Sequence, residues 1–207
     1  MAEQSVIGPA MTGVGVATAT WRGIDELAGL VGAYCWVESR VFELSGAWAT
    51  APDRAGGPGL DPALRVWCAG VSRRHGELAV RWAERLPFRA GVDRAALVGA
   101  PAGPLAGALE ALAALPDTRV AVAALADAVL PRLRGVYGAH LVSATPISEG
   151  PVLEVLVGAH RDLAGEISRG GSLLRGSAEG LTRDGALDAE MERAFDQTGV
   201  FPAVPAS

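Results

Sequence analysis

The chain has 207 residues, half of them apolar and a fifth charged, which is material for one buried core and excludes a globally disordered protein. Eighteen basic against twenty-three acidic side chains leave a net charge of −5, arguing against nucleic acid or an anionic membrane as the main partner. Every Lys/Arg position is Arg, a composition we assign to a GC-rich gene rather than to chemistry.

The first twenty residues carry no basic region followed by an apolar run, so we expect a flexible N-terminal segment (1–20) rather than a secretory signal. No apolar stretch reaches the ~18 residues that a spanning helix needs. Cys35 and Cys68 lack a C-x-x-C or zinc-type spacing and are expected as buried free thiols. The expected compartment is the cytoplasm.

Apolar residues three and four apart predict four long helices and no strands. The first runs from about Ile24 to Ala51, with Asp25 and Glu26 in its first turn and a stripe of Val31, Tyr34, Glu38, Val41, Leu44 and Trp48. The second begins at Asp61-Pro62, a capping acceptor followed by proline at the first helical position, and ends near Leu86-Pro87. Its stripe is Leu64, Cys68, Val71, His75, Leu78 and Trp82. A long connection, 88–117, holds one short helix from Pro104 to Ala114. The third long helix is expected from Asp117-Thr118 to Ser143, kinked where Pro131 removes a hydrogen bond and crowds Asp127. The fourth is expected from Gly150-Pro151 to Leu174, with Leu153, Leu156, His160, Leu163 and Ile167 on one face. A small helix near Leu187–Phe195 and an apolar tail, Val200–Ser207, follow. The domain division is therefore a bundle over 21–175 and a C-terminal extension over 176–207.

Helices joined by short links, 52–60 and 144–149, lie antiparallel. The single long connection lets the third helix start at the same end as the second, giving an all-α, four-helix bundle with one long crossover.

Three ionisable side chains fall on the core stripes of different helices: Glu38, His75 and His160. Glutamate is rarely buried unless paired or metal-bound. Glu38 lies 13 residues before Ala51, and His75 lies 13 after Pro62. His160 lies 14 before Leu174, so at ~1.5 Å per residue the three share one height at mid-bundle. His140 and Tyr137, near the end of the third helix, are expected far from Glu38 in this topology and are read as core or capping residues. Arg73-Arg74 beside His75 reads as a solvated face or an anion contact. Gly99–Gly103 is a linker and not a phosphate loop, since no strand precedes it.

On these residues the chain resembles the ferritin-like superfamily. The resemblance matches Glu38 to the first-helix carboxylate, His75 and His160 to the second- and fourth-helix histidines, and Asp127 to the third-helix carboxylate. Ser72 and Val157 stand where the family's Glu-x-x-His motifs carry glutamate. The resemblance implies one Fe(II), Mn(II) or Zn(II) rather than a paired-metal centre, serving a small oxidase or oxygenase of a small organic molecule. A metal-free reading stands beside it, in which the bundle binds a small molecule and Glu38 and His75 perform acid–base chemistry. A third is a non-catalytic interaction protein that has lost an ancestral metal site and forms a homodimer through its helical faces or its 196–207 tail.

Overall fold

The structure, a computed structural model, describes residues 22–51, 59–88, 90–101, 103–176 and 185–196. Among these residues the chain is all-helical, without strands, and no helix is long and apolar enough to cross a membrane. The expected N-terminal segment 1–20 and tail Val200–Ser207 lie outside the described residues.

Helix α1 spans Ile24–Thr50 and α2 spans Pro62–Arg85. The Asp61 side chain accepts from the Ala63 amide at 2.7 Å, and Pro62 sits where no amide hydrogen is needed. At the other end of α2, Arg94 donates to the carbonyls of Ala83 and Leu86 at 2.6 and 3.0 Å, tying down the helix end. Arg94 belongs to a 3₁₀ turn, Arg94–Leu97, that the sequence pattern did not predict. This turn crosses α1 at Gly32, where an added Cβ would stand 1.9 Å from the Leu97 carbonyl oxygen. Only glycine fits there.

The short helix α3 covers Leu105–Ala113. The third long helical run comprises α4 (Thr118–Ala124), a π-helical turn (Leu125–Val129) and α5 (Leu130–Ser143). The π turn ends two residues before Pro131, whose ring would crowd the carbonyl four residues back in a regular helix. Helix α6 runs Pro146–Gly176, so it starts earlier than the expected Gly150-Pro151. Pro146 fits the first turn, whereas Pro151 is accommodated inside the helix. Helix α7 spans Gly185–Asp196 and buries Leu187, Met191, Ala194 and Phe195.

Contacts between side chains fix the helix directions. Helix α1 runs against α2: the Cys35 thiol donates to the Ala79 carbonyl (3.3 Å) and the Ser72 hydroxyl to that of Phe42 (2.9 Å). Helix α6 runs against α2, with Arg85 donating to the Pro151 carbonyl (3.1 Å) and Trp67 to that of Glu166 (3.2 Å). The third run is antiparallel to α6, since Ala126 lies beside Gly170 and His140 beside Glu149. It is therefore parallel to α2. Tyr34, Trp82 and Tyr137 are fully buried and in mutual contact, while Trp48 and Trp67 are buried toward the α1–α2 link. Cys35 and Cys68 are buried free thiols.

Candidate functional site

The first-helix stripe is buried as its spacing predicts, and it carries Tyr34 and Glu38 into the centre of the core. Helix α2 brings His75, which is 2 % exposed, directly against Glu38. The His75 Nδ1–H donates to Glu38 Oε2, and its Nε2–H donates to Glu166 Oε2 at 3.1 Å. The second Glu38 oxygen accepts from the Tyr137 hydroxyl, which in turn accepts from the Trp82 indole at 3.3 Å. The second Glu166 oxygen accepts from Arg74 Nε–H. Every carboxylate oxygen and both imidazole nitrogens are engaged, as buried polar groups require.

This arrangement fixes the charge on His75. Burial alone disfavours the imidazolium, but Glu38, and then Glu166, outweigh it and push His75 up to about 10. His75 and Arg74 are the cationic side chains that face the two carboxyl groups across these bonds. Burial, reinforced by Glu38, raises Tyr137 above its ordinary range, so its hydroxyl remains a donor.

A second polar cluster lies toward the start of α1. Tyr34 donates its hydroxyl proton to His140 Nδ1 at 3.0 Å, and His140 Nε2–H donates to Glu149 Oε2 at 2.6 Å. Arg22 reaches both Glu149 oxygens at 3.3 Å, and the Thr145 amide donates to Oε1 at 3.3 Å. Burial, only partly opposed by the bond to Glu149, holds His140 below its usual value and neutral. Burial pushes the Glu149 carboxyl up, yet His140, the Thr145 amide and Arg22 together hold it below the usual carboxylate range. The tyrosines join the clusters: their rings meet edge to face with centroids 4.9 Å apart. They are the only two tyrosines in the sequence.

Of the four residues singled out in the sequence, the structure brings Glu38 and His75 together. His160 is turned toward α5: a Cβ at Gly138 would stand 3.4 Å from its Nε2, and Arg134 donates to its carbonyl at 3.3 Å. Asp127 sits half-buried in the π turn and bonds to neither Glu38 nor His75. Glu166 fills the place expected of His160. The buried face of α6 reads Leu156, Ala159, Leu163, Glu166 and Gly170, one position round from the stripe read through His160. Alanine and glycine hold that face against α2, which hides it from a reading weighted toward large side chains. At Gly170 an added Cβ would lie 2.7 Å from the Trp67 ring.

Tyr137 and His140 were expected far from Glu38, and the structure corrects this. Pairing of Tyr34 with His140 and of Glu38 with Tyr137 sets the register of α1 against the third run. That run is displaced by about two helical turns toward the α1–α2 link, so its last part, not its middle, is level with Glu38.

The donor set does not fit a metal ion. A ligating imidazole presents a nitrogen lone pair, and both nitrogens of His75 are instead taken up by the carboxyl groups of Glu38 and Glu166. Among the described residues no group of three or more His, Cys, Asp or Glu is arranged to hold one.

His75 and Glu166 form the floor of a small pocket between α2 and α6, about 90 Å³, walled by Leu78, Ala159 and Leu163 with Arg74 and Arg81 at its rim. Comparison with protein-family models, curated proteins and solved structures gives no match to this chain.

Proposed function

We propose that the protein is a metal-free helical bundle that binds a small molecule in the α2–α6 pocket and performs acid–base chemistry there. The observation that carries this reading is the double engagement of His75, an imidazolium between two carboxylates, at the floor of a pocket with apolar walls. Glu166 is the group placed to take a proton from a bound molecule, and the His75 imidazolium, with hydrogens on both nitrogens, is the group placed to give one up. Glu38 holds the far side of the ring, and Tyr137 holds Glu38, so the imidazole is fixed in orientation. Perturbed titrating groups converging on a pocket are the pattern of such sites.

The helix directions favour a ferritin-like ancestry, in which this site replaces a metal centre whose Glu-x-x-His carboxylates are absent. The metal-dependent oxidase reading needs a free imidazole nitrogen at Glu38, and the pairing of His75 weighs against it.

The test is a thermal-shift screen of the full chain against small metabolites, with and without chelator, beside His75→Gln. A ligand that raises Tm in the parent, keeps its effect in chelator and loses it in His75→Gln supports the reading. Near-stoichiometric iron, manganese or zinc in purified protein, lost in His75→Gln, would overturn it.

A further inference from the structure

The groove around this floor is rich in arginine. Arg161, Gly165 and Arg169 stand four residues apart on one face of α6, and Arg74 faces them from α2. Together with Asp162 and Glu166 they line a hollow of about 370 Å³, contiguous with the His75 pocket through Arg74, Asp162 and Glu166.

The charges do not cancel. Glu166 is held by Arg74 and His75, Asp162 by Arg161 Nε at 3.0 Å, and Glu77 on the rim by Arg73 at 2.7 Å. Arg169 at one end of the groove and Arg81 at the other have no hydrogen-bond or ion-pair partner among the described residues. Arg74 uses only Nε on Glu166, and its terminal nitrogens lie over Gly70, 3.6 and 3.7 Å from where a Cβ would stand. Gly165 puts no side chain into the hollow, and a Cβ there would meet nothing within 4 Å. One unpaired guanidinium, Arg169, and the terminal nitrogens that Arg74 leaves unused therefore stand beside the acid–base floor, on a chain whose net charge is −5.

We propose that Arg74, Arg161 and Arg169 form an oxyanion-binding site for a small molecule bearing a carboxylate or phosphate. The planar guanidinium forks suit such groups, and three of them recognise charge and shape together. The rest of the ligand extends over Glu166 into the apolar pocket at Leu78 and Leu163, which presents it to His75. This inference names the substrate class for the acid–base reading and rests on that reading for the ligand's chemistry. Arg74 belongs to both sites, so an anion drawing on its terminal nitrogens bears directly on Glu166.

Calorimetric titration of the full chain with inorganic phosphate, n-butyrate and n-butanol, at constant ionic strength, tests the proposal. Saturable binding of an oxyanion but not of butanol is expected. Arg169→Gln should weaken it at least tenfold, while Arg73→Gln, which removes the same charge outside the hollow, should change it less than twofold. Preference for phosphate would make the ligand a phosphate ester, and preference for butyrate a carboxylic acid; either supports the site. Absence of saturable oxyanion binding, or equal losses in the two variants, would overturn it. Arg169 does not touch His75, so loss of this proposal with His75 still doubly protonated leaves the acid–base reading intact. A free His75 nitrogen with oxyanion binding retained removes that reading alone.

Discussion

The two buried histidines of the core each bond a buried glutamate, yet one is charged and the other neutral. His75 lies between the carboxylates of Glu38 and Glu166 and is a cation, while His140 lies between the Tyr34 hydroxyl and Glu149 and is neutral. The difference comes from the second partner. A carboxylate on each nitrogen demands two protons, whereas a hydroxyl donates to one nitrogen and lets it keep its lone pair. Arg22 supplies the positive charge that Glu149 needs, so His140 has no call to carry it. Burial differs as well: Tyr34, His140 and Glu149 are all 0 % exposed, while His75 and Glu166, at 2 and 5 %, border a pocket. One cluster is sealed inside the core, and the other borders the pocket in which we propose that a ligand binds.

The contrast can be broken most forcibly at His75. Replacing it by alanine strands Glu38 and Glu166 without their shared cation and should cost about 3–5 kcal/mol of unfolding free energy. The same change at His140 leaves Glu149 with Arg22 and the Thr145 amide and should cost less, about 1–3 kcal/mol. Urea denaturation of both variants at neutral pH compares them, and a larger loss at His140 would reverse the assignment of roles.

The pH dependence should also run in opposite senses. His75 has a folded pKa near 10 against an ordinary 6.5, so its stabilisation is complete below about 6.5 and is lost as pH rises through 10. His140 is depressed from 6.5, so its neutral form stabilises fully above about 6.5 and that contribution is lost on acidification. The thiols also titrate on the alkaline side, so the His75 share is the part of the alkaline loss that disappears in His75→Gln.

Smaller effects sharpen the same comparison. Tyr137→Phe removes a donor from Glu38 and should cost about 1.5–3 kcal/mol, seen as a lower urea midpoint with an unchanged slope. Arg74 has a side chain 33 % exposed, so Arg74→Gln should cost no more than about 1 kcal/mol while lowering oxyanion affinity.

Much of this was legible in the sequence because helix pattern is local. The Asp61-Pro62 start, the α1 stripe through Glu38 and the disturbance at Pro131 each follow from residues within a few positions of one another. What the sequence hid is the setting of one helix against another. Glu166 was one position off the stripe read for α6, and Tyr137 was two turns from the height assigned to it. Rotation and register are decided by where glycine and alanine permit close approach, as Gly170 does under Trp67 and Gly32 under Leu97. Arg22 and Glu149 are far apart in sequence, and nothing local marks them as partners of His140.

The central claim is that His75 carries a proton on both nitrogens. ¹⁵N NMR of the imidazole nitrogens, followed from acid to alkaline pH in the parent and in His140→Gln, reads it directly. The account predicts two protonated nitrogens on His75 until the pH approaches about 10, and a neutral His140 with its hydrogen on Nε2 at pH 7. A bare nitrogen on His75 at neutral pH would contradict it and return the site to metal chemistry.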